Sequence, residues 1–368
     1  MEELGTERMP KKKGKKGGKD TKKKKKKTTK KKSSVPVLPG ATPQELLQRY
    51  KVSCKNIGIE PDDVVLKALG KGTSNESKFD ELAIGDQRLG PAGARAIAEA
   101  LLGDESSQPF VDLYALRLWR TCAKDDGAVW LSRFLQEAKD RLRIRTVDLI
   151  DNDIGPRGAM HLGNALARGG YANVTRLSLE HNASLGSKGC EELCRGLATN
   201  SSLKELYLGH CNIGSDGGKY IAQLLCSQVT QLSKLDLKCN DIGSRGIRFL
   251  CLSLKRNLSL AELSLFDNNI GGFPPTKEDL DAFEKLGEAL AVNSTLSSLD
   301  LDLNYLGETG ALALSEGLEK NTGLRCLTLD YTLEGETFAR LTELAKAGKK
   351  SGKCGKKKKT KKKKKKKK

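Results

Sequence analysis

One pattern governs this chain, and it is clearest over residues 232–257, LSKLDLKCNDIGSRGIRFLCLSLKRN. Leu232, Leu235 and Leu237 open it; Asn240 follows, then Ile242-Gly243 and Gly246, then an apolar run at helical spacing through Phe249, Leu250 and Leu254. The same order recurs at Leu203, Leu206, Leu208, Cys211, Ile213, Gly214 and Gly217, and again at Leu260, Leu263, Leu265, Asn268, Ile270 and Gly271. With the Asn-like residue as marker, copies fall at Gln87, Thr121, Asn152, Asn182, Cys211, Asn240, Asn268, Asn304 and Thr332. The steps between them are 34, 31, 30, 29, 29, 28, 36 and 28 residues. A unit this short cannot bury its own apolar face, so units must stack side by side.

Each part of the unit has a physical reading. The L-x-L core is a short strand whose leucines point inward while the residues between them point out. Gly after Ile lets the chain bend where a Cβ would clash. The second half, such as residues 217–228, has apolar residues at helical spacing and packs behind the strand.

The motif L-x-x-L-x-L-x-x-N/C-x-L resembles that of leucine-rich repeat proteins. The long unit with G-x-x-G after the marker is similar to the ribonuclease-inhibitor-like subclass. That resemblance implies an α/β leucine-rich repeat solenoid: a horseshoe with parallel strands on the concave side and helices on the convex side. It also implies that the marker Asn or Cys hydrogen-bonds backbone groups of its turn. Ran GTPase-activating proteins, the repeat domains of NOD-like receptors, and several centrosomal and ciliary proteins share the subclass.

The net charge of +20 hides two opposite regions. Residues 1–34 carry a net +12 and residues 345–368 a net +16, leaving −8 on 35–344. The chain therefore divides into a lysine-rich tail and linker (1–40), a helical N-terminal cap (41–78), a solenoid of about nine repeats (79–344) and a polylysine tail (345–368). The tails lack apolar content to fold around and read as disordered. In the cap, Thr42-Pro43-Gln44-Glu45 supplies an N-cap and Pro at the first helical position. Leu46, Leu47, Tyr50 and Cys54 line one face, and a second helix is expected from Pro61 through Leu69. The pattern Tyr50, Cys54, Gly58, Pro61 and Val65-Leu66 resembles the segment before the repeats in a centrosome- and cilium-associated leucine-rich repeat protein. Repeat seven is lengthened by about eight residues around Gly271-Gly272-Phe273-Pro274-Pro275-Thr276, an insertion that maps to a rim.

Ten cysteines without C-x-x-C pairs, and no secretory signal, are expected of free thiols in a reducing compartment. No apolar run approaches the ~20 residues a membrane helix needs. No catalytic, cofactor or metal site emerges. His181 and His210 fall on adjacent repeats beside Cys211 and Cys239, but Cys211 is accounted for by the repeat. Cys190 and Cys194 lie one helical turn apart on a core-facing helix and read as small apolar fillers.

The register places Arg117, Asp148, Ser178, Tyr207, Asp236, Ser264, Asp300 and Thr328 outward between the paired leucines. Trp119, Ile150, Glu180, Gly209, Lys238, Phe266, Asp302 and Asp330 follow, then Asp151, His181, His210, Asp267 and Tyr331. Acid interleaved with aromatics is how a binding surface looks. The candidate protein-binding residues are Trp119, Asp148, Asp151, Glu180, Tyr207, Asp236, Phe266, Asp267, Asp300, Asp302, Asp330 and Tyr331, facing a basic or amphipathic protein segment. Lysine tails neutralise phosphates or carboxylates without reading a sequence. They fit the acidic tails of tubulin and, alternatively, nucleic acid. The expectation is a non-enzymatic scaffold in the cytoplasm, at the cytoskeleton, a cilium, a flagellum or a centrosome. The alternatives are a Ran-type GTPase activator and an RNA-binding factor of the nucleolus or ribosome.

Overall fold

The computed structural model describes residues 40–347 apart from 72–78, 105–106, 139–140, 172 and 331–332, all within one compact unit. The lysine-rich tails and the marker Thr332 lie outside the described residues. Strands β1 (Glu81–Gly85), β2 (Ala115–Trp119), β3 (Thr146–Asp148), β4 (Arg176–Ser178), β5 (Glu205–Tyr207), β6 (Lys234–Asp236), β7 (Glu262–Ser264), β8 (Ser298–Asp300) and β9 (Cys326–Thr328) alternate with helices. The strands form one parallel sheet in sequence order. The helices behind them are α3 (Gly90–Leu102), α4 (Lys124–Glu137), α5 (Pro156–Leu166), α6 (Gly186–Leu197), α7 (Gly214–Leu225), α8 (Gly243–Leu254), α9 (Lys277–Val292), α10 (Gly307–Lys320) and α11 (Gly335–Ala347). Each helix packs on the next, as a stack of α/β units requires.

Register follows from the leucines. Leu177, Leu206, Leu235, Leu263, Leu299 and Leu327 pair in one row across β4 to β9. All are buried; Leu327, at 8%, is the most exposed of the row because it sits on the sheet's last described strand. Each such side chain contributes roughly 1.5–3 kcal/mol, and a slip of one residue would turn the whole row to solvent.

The two glycines of the repeat do different jobs. Gly214 has φ +64, and nothing lies within 4 Å of an added Cβ. It is needed for left-handed backbone rather than to avoid the clash expected there. Gly217, one turn later, is the crowded one: a Cβ would meet Ile213 Cγ2 at 2.0 Å.

The marker residues bond backbone groups of their own turn, as expected, and also reach across to the preceding repeat. Asn240 donates through Nδ2 to Leu208 O (2.7 Å) in the preceding repeat and to Leu237 O (2.9 Å) in its own. Its Oδ1 accepts from Cys211 N (2.9 Å) and Ile213 N (3.3 Å) of the preceding repeat. Asn152, Asn182, Asn268 and Asn304 repeat the arrangement, each nearly fully buried. At Cys211 the thiol donates to Leu179 O at 3.1 Å. Burial pushes its pKa up to about 12, so it stays a thiol.

A second ladder stands at the helix C-terminal ends. Asn200, Asn257, Asn293 and Asn321 donate to the final-turn carbonyls Leu166 O, Leu225 O, Leu254 O and Leu290 O of the preceding helices. The Oδ1 of Asn257 accepts from Ser259 N and Leu260 N, which starts the next strand segment.

Before the repeats, α1 (Pro43–Ile57) and α2 (Asp63–Lys71) cover β1 and α3. Thr42 and Glu45 form a reciprocal capping box. Leu46, Tyr50, Cys54, Val65 and Leu69 are buried. The second helix begins at Asp63, two residues beyond Pro61. The carboxylate of Asp62 accepts from Val64 N and Val65 N, so the helix starts after it.

Leu237→Asp puts an unpaired charge at a fully enclosed position and is expected to abolish cooperative melting. Asn240→Ala strands two carbonyls and two amides and is expected to cost about 3 kcal/mol or more in urea unfolding. Gln223→Ala, at an exposed position of α7, is expected to cost no more than about 0.5 kcal/mol; equal losses would contradict the ladder's role.

Candidate protein-binding face

Strand pairing brings the predicted outward residues into register: Arg117 beside Asp148, Asp148 beside Ser178, Tyr207 beside Asp236, and Ser264 beside Asp300. The face then divides into two halves of different chemistry.

Over β1 to β6 most of the charges pair with one another, Asp151 at the edge being the exception among the described residues. Arg117 Nε lies 2.9 Å from Glu81 Oε1 and 3.5 Å from Asp148 Oδ2. Arg176 Nε lies 3.8 Å from Asp148 Oδ1, and its Nη1 lies 3.1 Å from Glu205 Oε2. Asp148, expected outward as a partner-binding carboxylate, is only 6% exposed, walled in by these two arginines on the neighbouring strands. Burial raises its pKa, and the two guanidinium groups oppose that rise. Tyr207 is likewise not left in water: Arg176 stacks 4.3 Å from its ring centre and Lys234 reaches 5.7 Å. Trp119 leans across β1, where Gly85 leaves room; a Cβ there would meet the indole at 2.0 Å.

In the middle, Lys238 crosses a whole repeat to pair with Glu180, and stands 3.6 Å from Asp236. Gly209 makes the crossing feasible, because a Cβ there would meet Lys238 Cγ and Cε at 2.8 Å. At the edge of the face, the rings of His181 and His210 stack at 4.2 Å and 11°. Burial, His181 and Lys238 all lower the pKa of His210. Asp151, His181, His210, Cys239 and Asp267 occupy the same position in successive repeats, and all have positive φ. Asp, Asn and His tolerate that backbone better than most side chains, which explains their recurrence there.

Lys234 still reaches Glu262 at the start of β7 (2.9 Å), but beyond it the pairing thins out. Asp300 accepts from Thr328 Oγ1 (2.6 Å) and Ser264 Oγ (3.3 Å), and Asp302 from Leu303 N (2.9 Å). Among the described residues, no Lys, Arg or His lies within ion-pair reach of Asp267, Asp300 or Asp302. Phe266, in the same half, is half-buried. Asp330 is 8% exposed and so presents little carboxylate to a partner, and Tyr331 lies outside the described residues.

Three residues absent from the predicted set stand beside this half. Phe273 is 82%, Leu303 45% and Tyr305 37% exposed, and the Phe273 and Tyr305 rings meet at 5.7 Å. The insertion was legible at Gly271 to Thr276, but its contact with the turn of the next repeat was not.

Among the described residues, no three His, Cys, Asp or Glu side chains gather as a metal site would need, and no helix is long and apolar enough to cross a membrane. The Cys190 and Cys194 sulfurs lie 4.0 Å apart in the core.

A family model described as Leucine Rich repeat matches residues 172–194, 199–222, 230–251 and 292–315. The chain is 31% identical over 271 residues to the ribonuclease inhibitor of Sus scrofa, covering 68% of this chain and 57% of that protein. It is 29% identical over 209 residues to NACHT, LRR and PYD domains-containing protein 5 of Mus musculus, covering 49% of this chain and 17% of that protein. The chain thus spans a little over half of one relative and about a sixth of the other. A leucine-rich repeat-containing protein of Legionella pneumophila aligns over 74% of this chain and 92% of its own, with 16% identity and a TM-score of 0.42. The repeated motif, the strand register, the asparagine ladder and the matched repeats together make this chain a leucine-rich repeat protein of the ribonuclease-inhibitor-like subclass.

Proposed function

We propose that the chain is a non-enzymatic interaction scaffold of the cytoskeleton, at a cilium, flagellum or centrosome. Its strand face holds a basic or amphipathic segment of a partner protein, and its lysine-rich tails hold an acidic polymer such as tubulin. One observation carries the first part: over β1 to β6 Asp148, Glu180, Glu205 and Asp236 each have a cation beside them and Asp151 alone at the edge does not, whereas Asp267, Asp300 and Asp302 cluster without a cation among the described residues. A surface that leaves one sign unpaired steers and selects partners of the other. The charge distribution supports the second part, with 28 net positive charges on residues 1–34 and 345–368 flanking an acidic body. At ~0.15 M salt the screening length is about 8 Å, so lysines on such tails act locally.

Asp300→Lys reverses the charge at the centre of the acidic half and is expected to abolish co-precipitation of the partner while melting stays cooperative, the structural loss being confined to the Ser264 and Thr328 hydrogen bonds. Unaltered co-precipitation would remove the partner from this face.

Microtubule co-sedimentation of the full chain is expected to fall steeply with salt, as counterion release requires. Deleting 1–34 and 345–368 is expected to abolish it without changing the melting temperature. Equal pelleting with and without the tails would move polymer binding to the solenoid. Stronger pelleting with RNA than with microtubules, and a tagged protein in the nucleolus, would favour the RNA-binding alternative. Stimulated GTP hydrolysis by Ran would restore the activator alternative.

A further inference from the structure

The lengthened seventh repeat builds an apolar prominence beside the unpaired aspartates. Its base is fixed at both ends. Gly271 pairs with Tyr305 as an isolated parallel bridge, and Tyr305 N donates to Ile270 O at 2.9 Å. Gly271 has φ +83, and a Cβ on it would meet Tyr305 O at 2.0 Å, so the backbones touch directly. At the other end, Thr276 and Asp279 form a reciprocal capping box that starts α9, and Ser244 Oγ donates to Asp279 while accepting from Gly271 N. Phe273 projects from between these anchors, 82% exposed, with Tyr305 against it and Leu303 two residues before Tyr305.

Leu303 and Tyr305 flank Asn304, whose ladder bonds hold their turn. Asp267 N donates to Asp302 O at 3.0 Å, so Asp267 lies one strand spacing from this turn. An exposed aromatic pair on a rigid base, bordered by unpaired acid, has the make-up of a binding hot spot.

We propose that this prominence, together with Asp267 and Asp302, is the anchor point for a cationic segment of another protein, one that carries a large apolar side chain among its lysines or arginines. The proposal rests on the strand-face reading above and locates where that segment is gripped. Charge complementarity sets the sign of the occupant: Asp267 and Asp302 have no cation of their own among the described residues. The aromatic pair sets the rest. The chain's own C-terminal tail supplies lysine in abundance, but from residue 345 onward it holds no apolar side chain larger than Ala or Cys. It would satisfy the aspartates and leave Phe273, Tyr305 and Leu303 in water.

The test uses the full chain and three labelled peptides in fluorescence anisotropy. One carries six lysines and two tryptophans; the second has the tryptophans replaced by glycine; the third has the lysines replaced by glutamate. The tryptophan–lysine peptide is expected to bind about tenfold more tightly than its glycine counterpart; the glutamate peptide is expected to bind only the lysine-rich tails, so its binding is unmoved by substitutions at Phe273, Tyr305, Asp267 or Asp302. Phe273→Ala with Tyr305→Ala is expected to erase that preference at an unchanged melting temperature, because both side chains project from the surface. Asp267→Asn with Asp302→Asn is expected to weaken both lysine peptides and flatten their salt dependence.

Equal binding of the two lysine peptides would overturn the proposal and assign the acid to any cation, the chain's own tail included. No binding of either would also overturn it. A preference that survives Phe273→Ala with Tyr305→Ala, but is lost on Trp119→Ala, would sink this anchor and leave the strand-face reading standing.

Discussion

The buried asparagine at the end of each strand is the interaction on which the rest depends. A turn that leaves a parallel strand for a helix strands backbone amides and carbonyls where no neighbouring strand reaches them. One carboxamide presents two donors and an acceptor, and in this chain it spends them on two repeats at once. Asn240 ties Leu208 and Cys211 of the preceding unit to Leu237 of its own. The turn cannot form properly without its neighbour, and this makes stacking cooperative. The second ladder, of Asn200, Asn257, Asn293 and Asn321, does the same at the other edge, where the helices end. Between the two ladders the leucine rows are clamped into register.

With the backbone satisfied this way, residues between the inward leucines are free to vary, and the face they make is set by arithmetic between neighbours. Parallel strands without offset place equivalent positions side by side, so the charge of each residue is answered, or not, by the same position one repeat away. Arg117, Asp148 and Arg176 answer one another and enclose a carboxylate that would otherwise be solvated. Lys238 reaches Glu180 only because Gly209 lies between them. Beyond β7 the neighbours of Asp300 are Ser264 and Thr328, which hydrogen-bond it without neutralising it. The acidic half is therefore a consequence of which residues fall next to which, and not of an overall excess of acid.

Much was legible from residue order alone. Leucine spacing determined strand, register and the stacking direction, because a period near 29 admits no other way to bury the apolar face. Thr42 and Glu45 declared their helix start through local chemistry that needs no tertiary partner. The second asparagine ladder was not foreseen, although a signal for it exists in the recurring Asn three residues before a leucine at Asn200, Asn257, Asn293 and Asn321; its purpose appears only when the preceding helix end lies beneath it. What the tertiary structure alone decided is the state of the side chains on the face. Alternation says that Asp148 and Tyr207 point outward; it says nothing of the long arginines and lysine from adjacent strands that fold over them. The same holds for Phe273 and Tyr305, 32 residues apart in the chain, which meet because a backbone bridge at Gly271 carries the insertion onto the next repeat. Periodicity fixes where a residue stands within its unit, whereas exposure and charge balance depend on what the neighbouring units place beside it.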